Sequence, residues 1–492
     1  MLAHIIYLLS MVIIMLGVPH PTMENVSGTL ITVGLIGLWR YSWAGANLAR
    51  AAYYLNIAYP RRRARAAEAY AARGLTDHTF FLVTTYKIAP EISTRVYRSI
   101  FEAAYQAKGG ASIVASIVDE ADARLIRQVL ASVAALHPSV RGKVALKIDK
   151  IAGTGKRDAL ATSLRSIARL NPGRNDIVIF VDGDSCVPID VIDRSLPMFT
   201  DPAVGAVTTD EYSDTQGGRL FRDWFDLRFC QRHVMMSSMS LGERVLTLTG
   251  RMSIFRASLA MDSGFVDMVR SDFIDHWRLG RVHFLTGDDK STWFWLLQRG
   301  YKMLYLPDLC TVSIETQPKP GFMDSATVLM TRWFGNMLRT NGRALALPAS
   351  QIGYFTWWSI LDQGISIWTT LAGPASILLS AIFISPWILP LYFAWVMLTR
   401  YVMCTIIMAF RGRSFPVSFP FLLYFSQVVG AFVKSFILFR LDRQKWTRQT
   451  TEKSSRSRVG FTQRFRTLSS SYMHCLALGW LILSVAYVGS II

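Results

Sequence analysis

The sequence predicts an α/β domain inserted between membrane-spanning helices, with amphipathic helices at the membrane interface. Six apolar runs frame the chain, two near its start and four near its end: residues 2–18, 29–39, 353–384, 386–410, 416–440 and 471–492. Runs of about 20 apolar residues are long enough to cross a bilayer. Between residues 76 and 315 the hydropathy drops, and short apolar runs alternate with amphipathic stretches. That alternation is typical of an α/β domain.

Five short apolar runs in the middle of the chain are the predicted strands: residues 80–86, 111–119, 144–148, 176–182 and 204–210. Helical patterns lie between several of them, for example at 91–106 and 156–169, which favours a mostly parallel sheet. Ligands of such sheets bind beyond the carboxyl ends of the strands. The polar residues at those ends are therefore the first candidates for a binding site: Thr85, Asp119, Asp182 and Asp184.

The net charge of +19 is concentrated beside the apolar runs. Four arginines lie in 61–65, and eight Lys/Arg against two acidic residues lie in 441–468. Basic residues that flank membrane spans mark the cytoplasmic side. The charge therefore indicates membrane topology, together with attraction to anionic lipids and anionic substrates, and argues against a nucleic-acid partner.

These patterns divide the chain into five predicted segments. Residues 1–50 hold N-terminal transmembrane helices, 51–75 form a basic cytosolic linker, and 76–315 form the α/β domain. Residues 316–352 form interfacial helices, and 353–492 form a C-terminal transmembrane region with a basic cytosolic loop at 441–468. A crossing at 416–440 would move that loop outside, against the positive-inside tendency. We therefore expect five spans, with 416–440 interfacial or re-entrant.

The stretch "VDGDS" ends a buried strand with Asp182 and Asp184. Two carboxylates separated by one small residue can hold a hard divalent cation, which in turn binds a diphosphate. The alternative is an ordinary strand-to-turn exit, where Asp and Gly are common.

The stretch "AGTGKRDAL" supplies Gly153, Gly155, Lys156 and Arg157 at a loop that enters a helix. Backbone amides at a helix start and adjacent cations suit phosphate, although the pattern is not a P-loop. A solvated basic turn is the alternative.

The stretch "TGDDK" places Asp288 and Asp289 ahead of an apolar helix. Sugar transfer with inversion needs a carboxylate that deprotonates the acceptor hydroxyl. A neighbouring like charge raises a carboxylate pKa and suits a base that works near neutral pH. The alternative is a helix N-cap, because Asp in the first turn complements the helix dipole.

Taken in order, these motifs resemble the processive family 2 glycosyltransferases, which include cellulose, chitin and hyaluronan synthases. The resemblance implies a GT-A-type cytosolic domain, a nucleotide-binding Asp119 and a metal-binding pair formed by Asp182 and Asp184. It further implies Asp289 as base beside Asp288, and an R-W pair in which Arg332 binds the donor and Trp333 the acceptor. Leu329 stands where that motif has glutamine. A weaker match to a gating loop covers Trp446, Thr447 and Arg448.

A closer similarity, to the catalytic subunits of bacterial alginate polymerases (mannuronan synthases), extends over nearly the whole chain. It is carried by "RYSW", "AGTGKRDAL", "TTDE", "GGRLFRDW", "LRFCQRHV", "VLTLTGRMSIFRAS", "DHWRLGR", "FLTGDDKS" and "RWFGNMLRTN". The resemblance implies GDP-mannuronate as donor, a β-1,4 linkage, Mg²⁺ or Mn²⁺ as cofactor, and extrusion of the chain across the inner membrane. It also implies a co-polymerase partner with a PilZ domain that binds cyclic di-GMP. Other family 2 polymerases, of the hyaluronan, chitin or glucan type, and single-sugar transferases acting on a lipid carrier are the alternatives.

An anionic donor and polymer need cationic partners. The candidates are Arg219, Arg222, Arg228, Arg232, His233 and Arg251, of which we favour Arg232 and Arg251 for the polymer. For the donor we favour the cations Lys156 and Arg157, together with Thr85. Ordinary surface arginines are the alternative. Arg40 and Asp362 lie inside or beside apolar runs, where burial of a charge is costly, so they are functional candidates as well.

Overall fold

The predicted strands pair into one sheet in the computed structural model, which describes residues 1–19, 27–74, 77–138, 143–444 and 461–491. The eight strands of this sheet are β1 (Thr79–Thr84), β2 (Ala111–Ile117), β3 (Val144–Lys150), β4 (Ile177–Asp182), β5 (Ser185–Cys186), β6 (Val204–Gln216), β7 (Met252–Arg256) and β10 (Lys302–Thr316). A hairpin of β8 (Phe273–His276) and β9 (Gly280–His283) stands apart from it. The predicted α/β class is confirmed.

The strand order is β3-β2-β1-β4-β7-β6-β10-β5. Strands β1 to β4 are parallel to one another, and β10 is parallel to β6. Strand β7 enters between β4 and β6 and is antiparallel to both. The central strands are buried along their length, which explains why they occur as continuous apolar runs. The parallel arrangement brings the carboxyl ends of β1, β2 and β4 to one edge.

The helices of the α/β domain and its boundaries are as follows: α3 (Tyr59–Ala72), α4 (Pro90–Tyr105), α5 (Glu120–Leu136), α6 (Lys156–Ala168), α7 (Val191–Ser195), α8 (Arg219–Ser240), α9 (Ala257–Ala260), α10 (Ser263–Arg270), α11 (Asp288–Gln298), α12 (Phe322–Leu345) and α13 (Ala349–Ile352). The remaining helices are apolar: α1 (Leu2–Leu16), α2 (Ser27–Tyr53), α14 (Tyr354–Phe383), α15 (Ile388–Ala409), α16 (Ser418–Leu438) and α17 (Phe461–Ile491).

Residues 51–75, expected as a linker, are helical instead over the part that the structure describes. A π-helical turn, Tyr54–Ala58, joins α2 to α3. The rings of Tyr54 and Tyr59 are buried in the core of the α/β domain. The Tyr54 hydroxyl donates to the carbonyl of Tyr305 at 2.6 Å, and the Tyr59 hydroxyl donates to Asp308. The two tyrosines attach this basic segment to the domain.

Four helices in the described ranges are long and apolar enough to cross a membrane, judged by length and composition: α14, α15, α16 and the part of α17 from Arg464 to Val488. Helix α1 is apolar but shorter.

Helix α16 meets the length criterion, yet both of its ends contact the α/β domain. Near its start, Ser418 donates to Asp223 at 2.7 Å. Just beyond its end, Arg278 donates to the carbonyl of Phe439 at 2.6 Å. The helix packs along α12 between these contacts. Helix α16 is one unbroken helix, and its Pro420 lies in the first turn, where proline is tolerated. Its expected interfacial or re-entrant placement stays a prediction.

Candidate active site

Asp182 and Asp184 lie at the carboxyl end of β4, on either side of Gly183. A Cβ atom at Gly183 would lie 2.6 Å from Ile88 Cδ1 and 2.7 Å from the carbonyl oxygen of Thr84. Only glycine therefore fits between the two carboxylates. The close packing fixes the turn that places both aspartates at the strand edge.

Lys156 connects this strand end to the TGDD loop. Its ammonium lies 2.7 Å from Asp182 Oδ1 and 3.1 Å from Asp288 Oδ2. Helix α6 begins at Lys156, and the preceding Gly155 and Gly153 have φ of 133° and 73°, values that favour glycine. These glycines let the chain turn sharply, so that the first side chain of α6 points into the site.

A small pocket contains four of the residues that the sequence singled out for chemistry: Lys156, Asp182, Asp288 and Asp289. It is lined by Lys156, Asp182, Gly250, Asp288, Asp289 and Thr292, among others. Gly250 belongs to the TGR stretch ahead of β7, and a Cβ there would lie 3.3 Å from both Asp182 Oδ2 and Lys156 Nζ. The pocket wall is therefore formed by backbone at this point.

The two neighbouring carboxylates of the TGDD loop have different acidities. Burial raises the pKa of Asp288, but the Lys156 ammonium and the Arg157 guanidinium outweigh that effect and hold the pKa below its usual range. Burial and the negative charge of Asp288 raise the pKa of Asp289. Asp288 is thus the ionised member of the pair, and Asp289 is the one whose affinity for a proton is increased.

Burial also raises the pKa of Asp182, to about 6; Lys156 opposes this shift, whereas Asp184 and Asp288 add to it. The positive charge of Lys156 thus compensates only part of the repulsion among the carboxylates of Asp182, Asp184 and Asp288. Such a donor set fits a hard divalent cation. Within the described ranges no cluster of three or more Asp, Glu, His or Cys residues has the arrangement of a metal site. A cation held by Asp182 and Asp184 would complete its shell with diphosphate and water oxygens, as Mg²⁺ commonly does.

The position of the TGDD loop depends on contacts that the motifs did not reveal. Helix α11 begins at Asp288, and its N-cap residue, Gly287, has φ of 85° and supplies no side-chain cap. A Cβ at Gly287 would lie 2.8 Å from Asn336 Cγ on α12. The Thr286 hydroxyl donates to Asn336 Oδ1 at 2.7 Å. The helix that carries the R-W pair therefore also holds the acidic loop.

Arg157, predicted to bind the donor, is buried and is committed to the protein itself. Its two terminal nitrogens donate to the carbonyls of Met268, Val269 and Thr286 and to the hydroxyl of Ser291. Both terminal nitrogens are thereby occupied within the protein, and the predicted contact with phosphate stays a prediction. Arg157 positions the acidic loop.

Asp272 forms a second support of the same loop, and sequence patterns gave no signal for it. Its carboxylate accepts from Ser291 Oγ at 2.5 Å and from Arg343 on α12 at 2.7 Å and 2.9 Å. A buried carboxylate with three charge-assisted or hydroxyl donors is a strong anchor.

Thr85 and Asp119 lie at the carboxyl ends of β1 and β2, as predicted. The Thr85 hydroxyl is buried and forms a 2.8 Å hydrogen bond with the hydroxyl of Tyr97. Asp119 is exposed and caps α5 by accepting from Ala121 N at 3.0 Å. Asp119 therefore caps a helix, with its carboxylate at the edge of the sheet.

Arg251 and Arg232, predicted to bind the polymer, have acidic partners in the protein. Arg251 lies 2.6 Å from Glu315 and 3.2 Å from Glu211, and Arg232 lies 3.4 Å from Glu211. Both guanidinium charges are thereby compensated within the protein, and their predicted contact with the polymer stays a prediction. His233 likewise contacts Asp210 and Tyr305. Arg40 pairs with Asp362 at 2.7 Å.

Arg332 and Trp333 lie in the middle of α12. The Trp333 ring stacks on Trp224 at a centroid distance of 5.7 Å, and the Arg228 guanidinium lies 4.1 Å from its centroid. Arg219 and Arg222 are exposed at the start of α8. The predicted gating residues Trp446, Thr447 and Arg448 lie outside the described residues.

Residues 77–336 match a family model described as glycosyltransferase like family 2. The chain is 38% identical over 445 residues to glycosyltransferase alg8 of Pseudomonas syringae pv. tomato, which covers 90% of this chain and 89% of that one. It is 39% identical, with the same coverage, to glycosyltransferase alg8 of Azotobacter vinelandii. Among solved structures, a mannosyltransferase from Pyrobaculum calidifontis in complex with GDP-Man and Mn²⁺ aligns with a TM-score of 0.47 at 18% identity, over 79% of this chain and 98% of that one.

Proposed function

Because this chain belongs to the family 2 glycosyltransferases, we propose that it polymerises GDP-mannuronate into β-1,4-linked polymannuronate, the precursor of alginate, and moves the chain across the bacterial inner membrane. The observation that carries the proposal is geometric: Lys156 contacts both Asp182 and Asp288, and one pocket holds these residues together with Asp289. Two relatives named glycosyltransferase alg8, similar along 90% of the chain, support a role in alginate synthesis, from which the choice of donor follows.

Asp289 is the base in this mechanism. Its carboxylate accepts the proton of the acceptor 4-hydroxyl, whose oxygen then attacks the anomeric carbon of the donor from the face opposite the diphosphate. The bond from that carbon to the diphosphate oxygen breaks, GDP leaves, and the configuration inverts. The raised pKa of Asp289 suits this step, because a base with a higher pKa accepts a proton more readily.

Asp288 and Lys156 position the base rather than react. Lys156 pairs with Asp288 in the first turn of α11 and with Asp182 at the end of β4, and thereby links the two elements. Asp182 and Asp184 would hold the cation, which neutralises charge on the leaving diphosphate when it is bound. Asp119 and Thr85, at the neighbouring strand ends, are assigned to the nucleotide, and Arg332 and Trp333 to the donor and acceptor.

We place five helices across the membrane, with the catalytic domain on the cytosolic side: α1, α2, α14, α15 and α17. Helix α16 lies at the cytosolic interface, because both of its ends contact the catalytic side. The basic residues of 441–468 then remain cytosolic, as the positive-inside tendency requires. Cysteine labelling from each side of oriented membranes tests this topology; labelling of a cysteine at position 441 from the outside would contradict it.

The partner proposed from the alginate-polymerase resemblance is a co-polymerase with a PilZ domain. Co-purification from membranes and stimulation of polymer synthesis by cyclic di-GMP only in the presence of that partner are the expected results. Equal synthesis with and without the partner would remove it from the proposal.

The decisive experiment offers the purified protein, in lipid, a panel of nucleotide sugars: GDP-mannuronate, GDP-mannose, UDP-glucose and UDP-N-acetylglucosamine. We expect GDP release and a polymer that a mannuronate lyase digests, with GDP-mannuronate alone. Asp289→Asn should abolish polymer formation and retain nucleotide binding. Asp267→Asn, at a carboxylate that is 75% exposed, is the matched control. Polymer from a UDP-sugar, or normal rates in Asp289→Asn, would contradict the proposal.

A further inference from the structure

Several arginines at or near the contact between the catalytic domain and the membrane helices are paired with acids. The pairs are Arg40 with Asp362, Arg232 and Arg251 with Glu211, Arg411 with Asp210, and Arg413 with Asp226. Arg228 on α8 and Lys434 on α16 differ. In the described ranges, no carboxylate forms an ion pair with either side chain, and the charge that acts most directly on Arg228 is that of another arginine, Arg251.

Both cations lie against aromatic rings of α12. The Arg228 guanidinium is 4.1 Å from the centroid of Trp333, and the Lys434 ammonium is 4.8 Å from the centroid of Phe334. Trp333 and Phe334 are adjacent in sequence, and the Phe334 ring packs 3.4 Å from the position of a Cβ on Gly430 of α16. The two cations are therefore held on one short section of the contact between α12 and its neighbours.

This arrangement is unfavourable without an anion. Burial lowers the pKa of Arg228 to about 10, and the charge of Arg251 adds to that effect. Arg228 and Lys434 also repel each other. Like charges that are partly removed from water cost free energy, and the aromatic faces offset only part of that cost. An anion bound between the cations removes both penalties.

The two cations stand between the candidate active site and the membrane helices. One turn further along α8, Arg232 donates to the carbonyl of Thr209 on β6, which belongs to the catalytic sheet. In the other direction, Lys434 is close enough to Arg40 and Asp362 for their charges to act on it, and that pair joins α2 to α14. Arg228 thus belongs to a helix that packs on the catalytic sheet, and Lys434 to a helix that packs on α14.

We propose that Arg228 and Lys434 form a carboxylate-binding subsite for the product chain. They bind uronate carboxylates of residues already added, and thereby select an anionic polymer over a neutral one. This inference rests on the proposed function and adds the residues that discriminate the charge of the chain. The paired arginines Arg232 and Arg251, which the sequence favoured for this task, have their charges compensated and serve the fold.

The first test measures binding without catalysis. The purified full-length protein in lipid is titrated with a β-1,4-linked mannuronate hexamer and with neutral β-1,4-mannohexaose, with no nucleotide sugar present. We expect at least tenfold tighter binding of the charged hexamer. Arg228→Gln and Lys434→Gln should each reduce that preference at least fivefold, Arg228→Lys should keep most of it, and Arg98→Gln, at an arginine that is 56% exposed on α4, should leave it unchanged.

The second test separates a binding role from a structural one. Removing one of two partly buried cations that repel each other relieves the repulsion. Arg228→Gln and Lys434→Gln should therefore raise the midpoint of thermal unfolding of the ligand-free protein. Both variants should also be stabilised less by the charged hexamer than the wild type is. A side chain needed only for packing would lower the midpoint instead. Unchanged preference for the charged hexamer, or a lowered midpoint with unchanged hexamer binding, would overturn the inference.

The two proposals fail separately. Absence of GDP release from GDP-mannuronate by the wild-type protein contradicts the proposed function. Normal GDP release and polymer synthesis by the wild type, combined with variants that bind the charged hexamer as the wild type does, contradicts the carboxylate subsite alone.

Discussion

The amide oxygen of Asn336 accepts a hydrogen bond of 2.7 Å from the hydroxyl of Thr286, two residues ahead of Asp288. Arg339 donates to the same oxygen at 2.6 Å. Helix α12 thus sets the position of the carboxylate pair, although Asn336 itself belongs to neither the pair nor the R-W motif.

Asn336→Ala should lower kcat at least tenfold with little change in the KM for the donor, because small displacements of a catalytic group cost rate steeply. Steady-state kinetics with GDP-mannuronate measures this, and Asn56→Ala, at an exposed asparagine of the membrane-to-domain helix, is the control. An unchanged kcat in Asn336→Ala would show that the loop keeps its position without α12.

Gly287→Ala should be far more damaging than Gly300→Ala. Both glycines have positive φ, 85° and 74°, but a Cβ at Gly287 meets Asn336 at 2.8 Å, whereas nothing lies within 4 Å of one at Gly300. Gly300→Ala carries only the backbone strain, about 1 kcal/mol. Thermal unfolding and polymer synthesis, measured on both variants, isolate the clash with Asn336; equal losses would mean that backbone strain alone matters.

Activity should fall on the acid side at a pH above the usual range for aspartate. The base must be ionised, and burial together with the charge of Asp288 raises the pKa of Asp289, so the active form is lost as pH drops through that raised value. Asp288→Asn removes the neighbouring negative charge and should move the acid limb of the kcat profile to lower pH, whatever its effect on the maximum. A limb that stays in place in Asp288→Asn would assign it to another group.

Chelation should stop turnover. EDTA treatment followed by gel filtration is expected to abolish GDP release, and Mg²⁺ or Mn²⁺ should restore it. Asp182→Asn and Asp184→Asn should each weaken binding of Mn²⁺ in the presence of GDP, followed by electron paramagnetic resonance. Full turnover of the chelated protein would eliminate the cation from the proposed mechanism.

The ion pair between Arg411 and Asp210 should couple the membrane helices to the catalytic sheet. Arg411 follows α15, Asp210 lies in β6, and the two side chains are only 17% and 6% exposed. Arg411→Gln leaves a buried carboxylate without its main partner and should cost about 3–5 kcal/mol of stability. A double-mutant cycle with Asp210→Asn, measured by thermal unfolding, should give a loss well below the sum of the single losses; additive losses would show that the pair does not act as a unit.

Local patterns predicted the parallel half of the sheet because β1, β2 and β4 are buried apolar runs with polar residues at their ends. They missed β7, which has only five residues, and β10, whose run contains Pro307. The predicted Asp182, Lys156, Asp288 and Asp289 do meet in one pocket.

The availability of a charged side chain was harder to predict than its location. Arg251 is paired with Glu211 and Glu315, which lie 40 and 64 residues away in the chain, and Arg157 donates hydrogen bonds to carbonyls such as that of Val269, 112 residues away. Asn336 and Asp272 act through the same kind of distant contact. Such partners are brought together only by the folded chain, so no local pattern marks them.

The tyrosines that attach the membrane helix to the domain also constrain how the protein is made. Tyr54 precedes Tyr305, the residue whose carbonyl it binds, by 251 positions, so its hydroxyl leaves the ribosome long before its partner is synthesised. Tyr54 is thus part of the catalytic core, although it lies ahead of residue 77, where the match to the family model begins. A recombinant fragment that starts at that boundary lacks the rings of Tyr54 and Tyr59 and leaves their sites in the core empty; a soluble catalytic fragment has to begin ahead of Tyr54.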